Sequence, residues 1–202
     1  MGKKLILKKV RFSFVRVFEA EDRFNQGKSK YEVTILIPKT DKDNIKKVAA
    51  AIKELQKEYL AEHPKCNGKL PGDPSKWNPI KDGDDSLDYD GFEGMYYIRA
   101  SRNESQGRPV IVDKHKQPIT QKEDFYSGCW GVASIDAYSF DQIANKGITF
   151  GLNGVQKVKD DEAFGGGGSA INDFDEEDDE EDDDTDNDPI FDDPTDDGLP
   201  YQ

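Results

Sequence analysis

A mainly β chain closed into a small barrel, with one amphipathic helix near residues 41–61 and a disordered acidic tail, is the fold this sequence predicts. Three observations carry it. Apolar and polar residues alternate with period two over several segments, the pattern of half-buried strands. Only one segment repeats at helical spacing. The charge is divided unevenly along the 202 residues, which total 28 Lys and Arg against 42 Asp and Glu, a net of −14. Residues 171–202 hold 17 acids and no Lys or Arg, leaving 25 acids against 28 bases in the rest. A mildly basic body therefore precedes a tail whose like charges repel and whose few apolar residues cannot offset the entropy of ordering.

Each element follows in order. In residues 5–18, LILKKVRFSFVRVF, Val10, Phe12, Phe14 and Phe18 share one parity and Arg11, Ser13, Val15 and Val17 the other, predicting a long strand. Tyr31 to Ile37 is a second strand, stopped by Pro38. Thr40 or Asp41 can cap the helix. Its apolar face is Ile45, Val48, Ala49, Ile52, Leu55 and Tyr59, and it ends before Pro64. Residues 63–94, rich in Gly, Pro, Asp and Lys, read as a functional or mobile loop. Strands follow at Met95–Ser101 and Pro109–Val112. Phe125–Phe140 reads as one long bent strand or a hairpin, and Ile148–Val158 as the last strand. One helix among five to seven strands points to an OB-fold-like barrel, since closure removes exposed edges. The predicted division is a barrel domain over 1–164, a glycine-rich hinge over 165–170 and the acidic tail over 171–202.

No segment approaches the ~20 apolar residues of a membrane helix. The first residues, MGKKLILKKVRF, lack the apolar stretch of a secretory signal, so a cytoplasmic location is expected. Cys66 and Cys129 make no disulfide framework. The phosphate-binding, dinucleotide, serine-hydrolase and zinc-protease motifs are absent, so no enzyme and no cofactor are predicted. His63 and Cys66 have a ligand-like spacing, but a zinc site would have to recruit His115 or Cys129 from far away. Asp82, Asp84, Ser86, Asp88, Asp90 and Glu93 match a calcium-loop spacing. Leu87 stands where the sharp turn wants glycine, so a solvated acidic loop is the better reading.

The aromatic and basic residues say more. Arg11 and Phe12, Phe14 and Arg16, and Tyr96, Tyr97 and Arg99 interleave rings and cations on predicted strands. Trp77 lies between Lys76 and Lys81, Tyr126, Trp130 and Tyr138 mark another strand region, and Lys157 sits on the last strand. Single-stranded nucleic acid wants this mixture, with rings to stack bases and cations to track the backbone. About half of these rings must instead fill the core, because one parity of each strand faces inward. The tail, joined through glycines, can reach back to a cationic groove as a nucleic-acid mimic. It also holds apolar anchors beside acids, Phe191, Asp192, Asp193, Leu199 and Tyr201, which suit docking to other proteins.

Several strings are similar to one family. Lys9 to Phe14 with Phe18-Glu19, Lys30-Tyr31 leading to Ile37-Pro38-Lys39, Pro79 to Asp84, and Phe125 to Trp130 all resemble the tailed-phage single-stranded DNA-binding proteins. So, most specifically, do Asn145 to Ile148 and Phe150 to Val158. The resemblance implies an OB-fold that binds single strands with little sequence preference during phage DNA replication or recombination in the host cytoplasm. It also implies an acidic tail that competes with DNA and recruits replication or recombination proteins. Many such tails finish on phenylalanine, whereas this one ends Tyr201-Gln202. Two other readings are a metal-dependent nuclease using the acids of 82–93, and an acidic DNA mimic or adaptor.

Overall fold

The computed structural model describes residues 2–22, 27–142 and 145–165. The hinge beyond Gly165, the acidic tail and the anchors Phe191, Asp192, Asp193, Leu199 and Tyr201 lie outside the described residues. In chain order the elements are β1 (Lys3–Glu21), β2 (Lys30–Pro38), α1 (Lys42–Glu62), β3 (Lys81–Asp82), β4 (Met95–Asn103), β5 (Val110–Val112), β6 (Trp130–Gln142) and β7 (Asn145–Lys159). Strand β1 pairs antiparallel with β2 and β6, β2 with β4, and β6 with β7. A short parallel pairing of Ala100 and Ser101 with Phe150 and Gly151 joins β4 to β7. These five strands close a barrel, as the alternation predicts. The short strands β3 and β5 flank it, on β4 and β7.

One parity does not hold along β1. The register slips between Lys8 and Val10 and between Ser13 and Arg16, and Lys9 (φ 56°) and Phe14 (φ 48°) adopt left-handed backbone there. Each bulge adds a residue and exchanges the faces. Val10 and Phe12 are therefore fully buried, Phe14 turns outward, and inward packing resumes at Val15 and Val17. The predicted shared parity of Phe12 and Phe14 is corrected: the first is core, the second is surface.

The helix runs one residue later than expected. Asp41 caps it, its carboxylate accepting from the Asn44 amide at 3.0 Å. The Asn44 side chain donates to the Lys8 carbonyl at 2.6 Å, tying the helix start to the first bulge. Val48, Ala51, Ile52, Leu55 and Tyr59 join the barrel core with Leu7, Phe12, Ile35, Ile98 and Phe150. Ala51, not Ala49, lies on that face. Full burial of each large side chain stabilises by about 1.5–3 kcal/mol.

Two further expectations change. Residues 63–94 form short 3-10 turns and carry two fully buried rings, Trp77 and Phe92. Phe125–Cys129 is a turn-rich approach, and strand β6 begins only at Trp130.

The helix end is fastened to the β6–β7 hairpin through Asp141. Its carboxylate accepts from the Tyr59 hydroxyl at 2.8 Å and pairs with Lys146 at 2.5 Å, while His63 stacks on Tyr59 at 4.1 Å. The Lys146 hydrogen bond, then that of Tyr59, hold the Asp141 carboxyl below the usual range. A depressed pKa contributes stability that is present above the unfolded value, about pH 4, and lost as pH falls through the folded one. Acid unfolding should therefore steepen below about pH 4 in the parent. In Asp141→Asn the neutral-pH melting temperature should be lower and the acid-induced drop smaller; an equal drop in both would refute this role.

Candidate nucleic-acid interface

In an OB barrel, oligonucleotides lie on the face of the second and third barrel strands, here β2 and β4, near the connections that join barrel strands one to two and four to five. The register builds that face. Ser13 stands opposite Thr34, and Thr34 opposite Arg99. The next row of the same face runs Arg16, Glu32, Ser101 and Gly151. Because Ile98 and Ala100 point into the core, Arg99 and Ser101 point out. Arg99 is exposed, and its side chain has no ion pair or hydrogen bond among the described residues. Arg16 is half-buried and pairs with Glu21 at 3.1 Å.

Aromatic residues stand at both ends of this face. At one end the second bulge pushes Phe14 out until it is 36% exposed, with Tyr89, 48% exposed, edge-on to it at 5.1 Å. A bulky residue held at positive φ is strained, and such strain gathers at functional sites. At the other end lies a groove of about 750 Å³ lined by Lys28, Lys30, Ser101, Tyr138, Phe140 and Asn145, among others. Tyr138 is 39% exposed. Gly151 lies against that ring: a Cβ there would stand 3.4 Å from it.

The twelve predicted body residues separate into three groups. Phe14, Arg16, Arg99 and Tyr138 share the face just described. Phe12 and Trp77 are core, which corrects their assignment as stacking rings. Phe12 packs on Phe125 at 5.0 Å, and Trp77 lies 4.5 Å from Tyr59 with its indole N–H donated to the Pro71 carbonyl. Neither has a free ring face. Tyr97 is buried with Phe92 over Leu36, and Tyr96 is half-buried with Lys39 at 5.2 Å from its ring. The third group, Arg11, Tyr126, Trp130 and Lys157, converges elsewhere on the outer surface, under residues 160–164. Asp161 accepts from the Trp130 indole at 2.6 Å and lies 3.6 Å from Arg11. Asp160 pairs with Lys157 at 2.6 Å and accepts from the Tyr126 hydroxyl at 2.9 Å. The Phe164 ring sits 4.2 Å from the Arg11 guanidinium carbon.

Spacing alone missed Lys28, Lys30, Tyr89 and Phe140. Phe140 carried a usable signal, since it follows Tyr138 by two residues and so shares its face. Tyr89 carried none, because its segment has no period.

The acidic loop has other work. Asp82 and Asp84 both pair with Lys39 at 2.5 Å, and Asp84 also accepts from the Gly94 amide at 2.7 Å. The Lys39 hydrogen bond holds both carboxyls below their usual range. One ammonium thus pairs with both carboxylates. Among the described residues, no three His, Cys, Asp or Glu are grouped to hold a metal. Burial pushes the Cys129 thiol up to about 11, away from a metal-binding thiolate. No helix is long and apolar enough to cross a membrane among the described residues.

Comparison with known proteins places this geometry among relatives. Residues 3–185 match the family described as Enterobacter phage Enc34, ssDNA-binding protein. Protein p50 of Acyrthosiphon pisum secondary endosymbiont phage 1 is 34% identical over 177 residues, spanning 86% of this chain and 93% of its own. Among solved structures, the single-stranded DNA-binding protein from bacteriophage Enc34 in complex with ssDNA is 30% identical, with a TM-score of 0.67 over 80% of this chain and 89% of that one. A single-stranded DNA-binding protein encoded by bacteriophage T7 shares the fold at 14% identity, with a TM-score of 0.56 over 87% of this chain and 97% of its own.

Proposed function

The chain belongs to the Enc34 phage single-stranded DNA-binding protein family, and from that premise we propose that it binds single-stranded DNA across the outer face of β1, β2 and β4. Arg99 carries the proposal: an exposed cation on a barrel strand whose side chain has no partner among the described residues, between two groups of accessible rings. It pairs with a phosphate. Arg16, Lys28 and Lys30 extend the cationic track. Bases stack on Tyr138 and Phe140 at one end and on Phe14 and Tyr89 at the other. Stacking and phosphate contacts do not read base edges, so the binding is largely independent of sequence.

The role is binding rather than catalysis: Asp82 and Asp84, the acids a nuclease would use, are engaged by Lys39. Coating single strands serves phage DNA replication or recombination in the host cytoplasm. The tail competes with DNA for the cationic face and, once displaced, presents Phe191, Asp192, Asp193, Leu199 and Tyr201 to replication or recombination proteins. A tethered competitor at about millimolar effective concentration predicts that removing residues 171–202 tightens binding about tenfold at low salt, with the gap closing as salt rises. Anisotropy titration of a labelled strand by both chains measures this. Equal affinity at every salt concentration would sink the competition.

A further inference from the structure

We infer that Arg11, Tyr126, Trp130 and Lys157 form a second subsite for single-stranded nucleic acid, held shut in the free protein by the strap Asp160–Phe164. This rests on the proposed single-strand binding and extends its path.

These four side chains come from β1, the approach to β6, the start of β6 and the end of β7. Their polar groups are met largely by the strap. The match is chemical, group for group. Carboxylates of Asp160 and Asp161 sit on Lys157 and Arg11, where phosphates would sit. The indole N–H of Trp130 and the hydroxyl of Tyr126 each donate to one of those carboxylates. The Phe164 ring covers the Arg11 guanidinium at 4.2 Å, while Trp130 lies 5.7 Å from the same group. A guanidinium face beside an indole is a stacking platform for a base.

Exposure points to exchange. The cations are recessed, with the Lys157 and Arg11 side chains 17% and 13% exposed, whereas Asp160 and Asp161 are 71% and 39% exposed. Ion pairs whose anion is this solvated add little stability. The strap adds no strand to the barrel; its described backbone ties include Phe164 N–H to the Ser127 carbonyl at 2.7 Å and Arg11 to the Glu162 carbonyl at 3.0 Å. Its latch is Phe164, seated where Gly91 leaves room: a Cβ at Gly91 would stand 2.1 Å from the Phe164 ring. Location fits as well. Arg11 precedes by two residues Ser13, whose row continues to Arg99, so a strand on the first face can run on to this one.

The test compares the full chain with Phe164→Ala and with Asp160→Asn/Asp161→Asn, which leaves the latch in place. Labelled oligodeoxythymidines of about 6 and about 20 nucleotides are titrated at low salt. A released strap raises affinity about fivefold for the longer strand and leaves the shorter one unchanged, because only the longer reaches both sites. Indole emission reports the second site directly, since Trp77 is sealed in the core and Trp130 is not. Strand-induced quenching should grow in both variants and vanish when Trp130→Phe is added. Folded variants, judged by melting, that bind no tighter and quench no more would overturn the inference and make the strap purely structural. No binding of either strand by the parent chain would overturn the single-strand reading itself.

Discussion

Alanine at Tyr138 should lower the affinity for a single strand by roughly tenfold to a hundredfold, because stacking one base on an aromatic ring contributes about 1–3 kcal/mol. The ring is exposed in the groove it lines with Lys30 and Phe140, and its hydroxyl is not needed for stacking. Tyr138→Phe should therefore retain most of the affinity. Arg99→Ala acts differently. It removes one phosphate contact, so the dependence of log affinity on log salt should become shallower by about one contact. Its loss should be largest at low salt and similar across sequences, and the two changes together should reduce binding by more than either alone. Circular dichroism and melting should stay close to the parent, since both side chains face solvent. A Tyr138→Ala protein that binds as tightly as the parent would remove the groove from the account.

Trp77→Ala has the largest expected effect on stability. The ring is 1% exposed, touches Tyr59 and donates to the Pro71 carbonyl. Emptying such a site costs about 3–5 kcal/mol through lost burial and a residual cavity. For a domain of this size, that lowers the melting temperature by roughly 10 °C. Below that temperature the folded fraction should bind single strands as the parent does. The opposite pattern, unchanged melting with lost binding, would return Trp77 to the stacking role that its sequence neighbours Lys76 and Lys81 suggest.

These two residues show what was legible in the sequence. Helix α1 could be placed within a residue or so, because its cap at Asp41 and its period are local. The barrel followed from strand count and alternation. The facing of individual rings did not, because facing depends on register, and register changes at bulges. Phe12 and Phe14 read as one parity yet lie on opposite sides of β1, since the chain turns left-handed at Phe14. Trp77 carries loop-like neighbours, but Tyr59 and Pro71 hold it in the core. Convergence across long separations was partly legible. Arg11, Tyr126, Trp130 and Lys157 could each be picked out as a ring or a cation. That Asp160 and Asp161 would meet all four could not, because acids after a strand carry no periodic signal. Lys28 and Lys30 carry no periodic signal either; the fold brings them to one groove with Tyr138 and Phe140.

The most direct test of the central claim is to locate the bound strand. A single strand carrying photoreactive iodouracil is bound to the full chain and irradiated, and the crosslinked peptides are identified by mass spectrometry. The account predicts adducts on Tyr138 or Phe140 and on Phe14 or Tyr89, lost when unlabelled single strand competes and retained against duplex. Adducts confined to helix α1 or the flanking strand β5, with none on the face around Arg99, would contradict it.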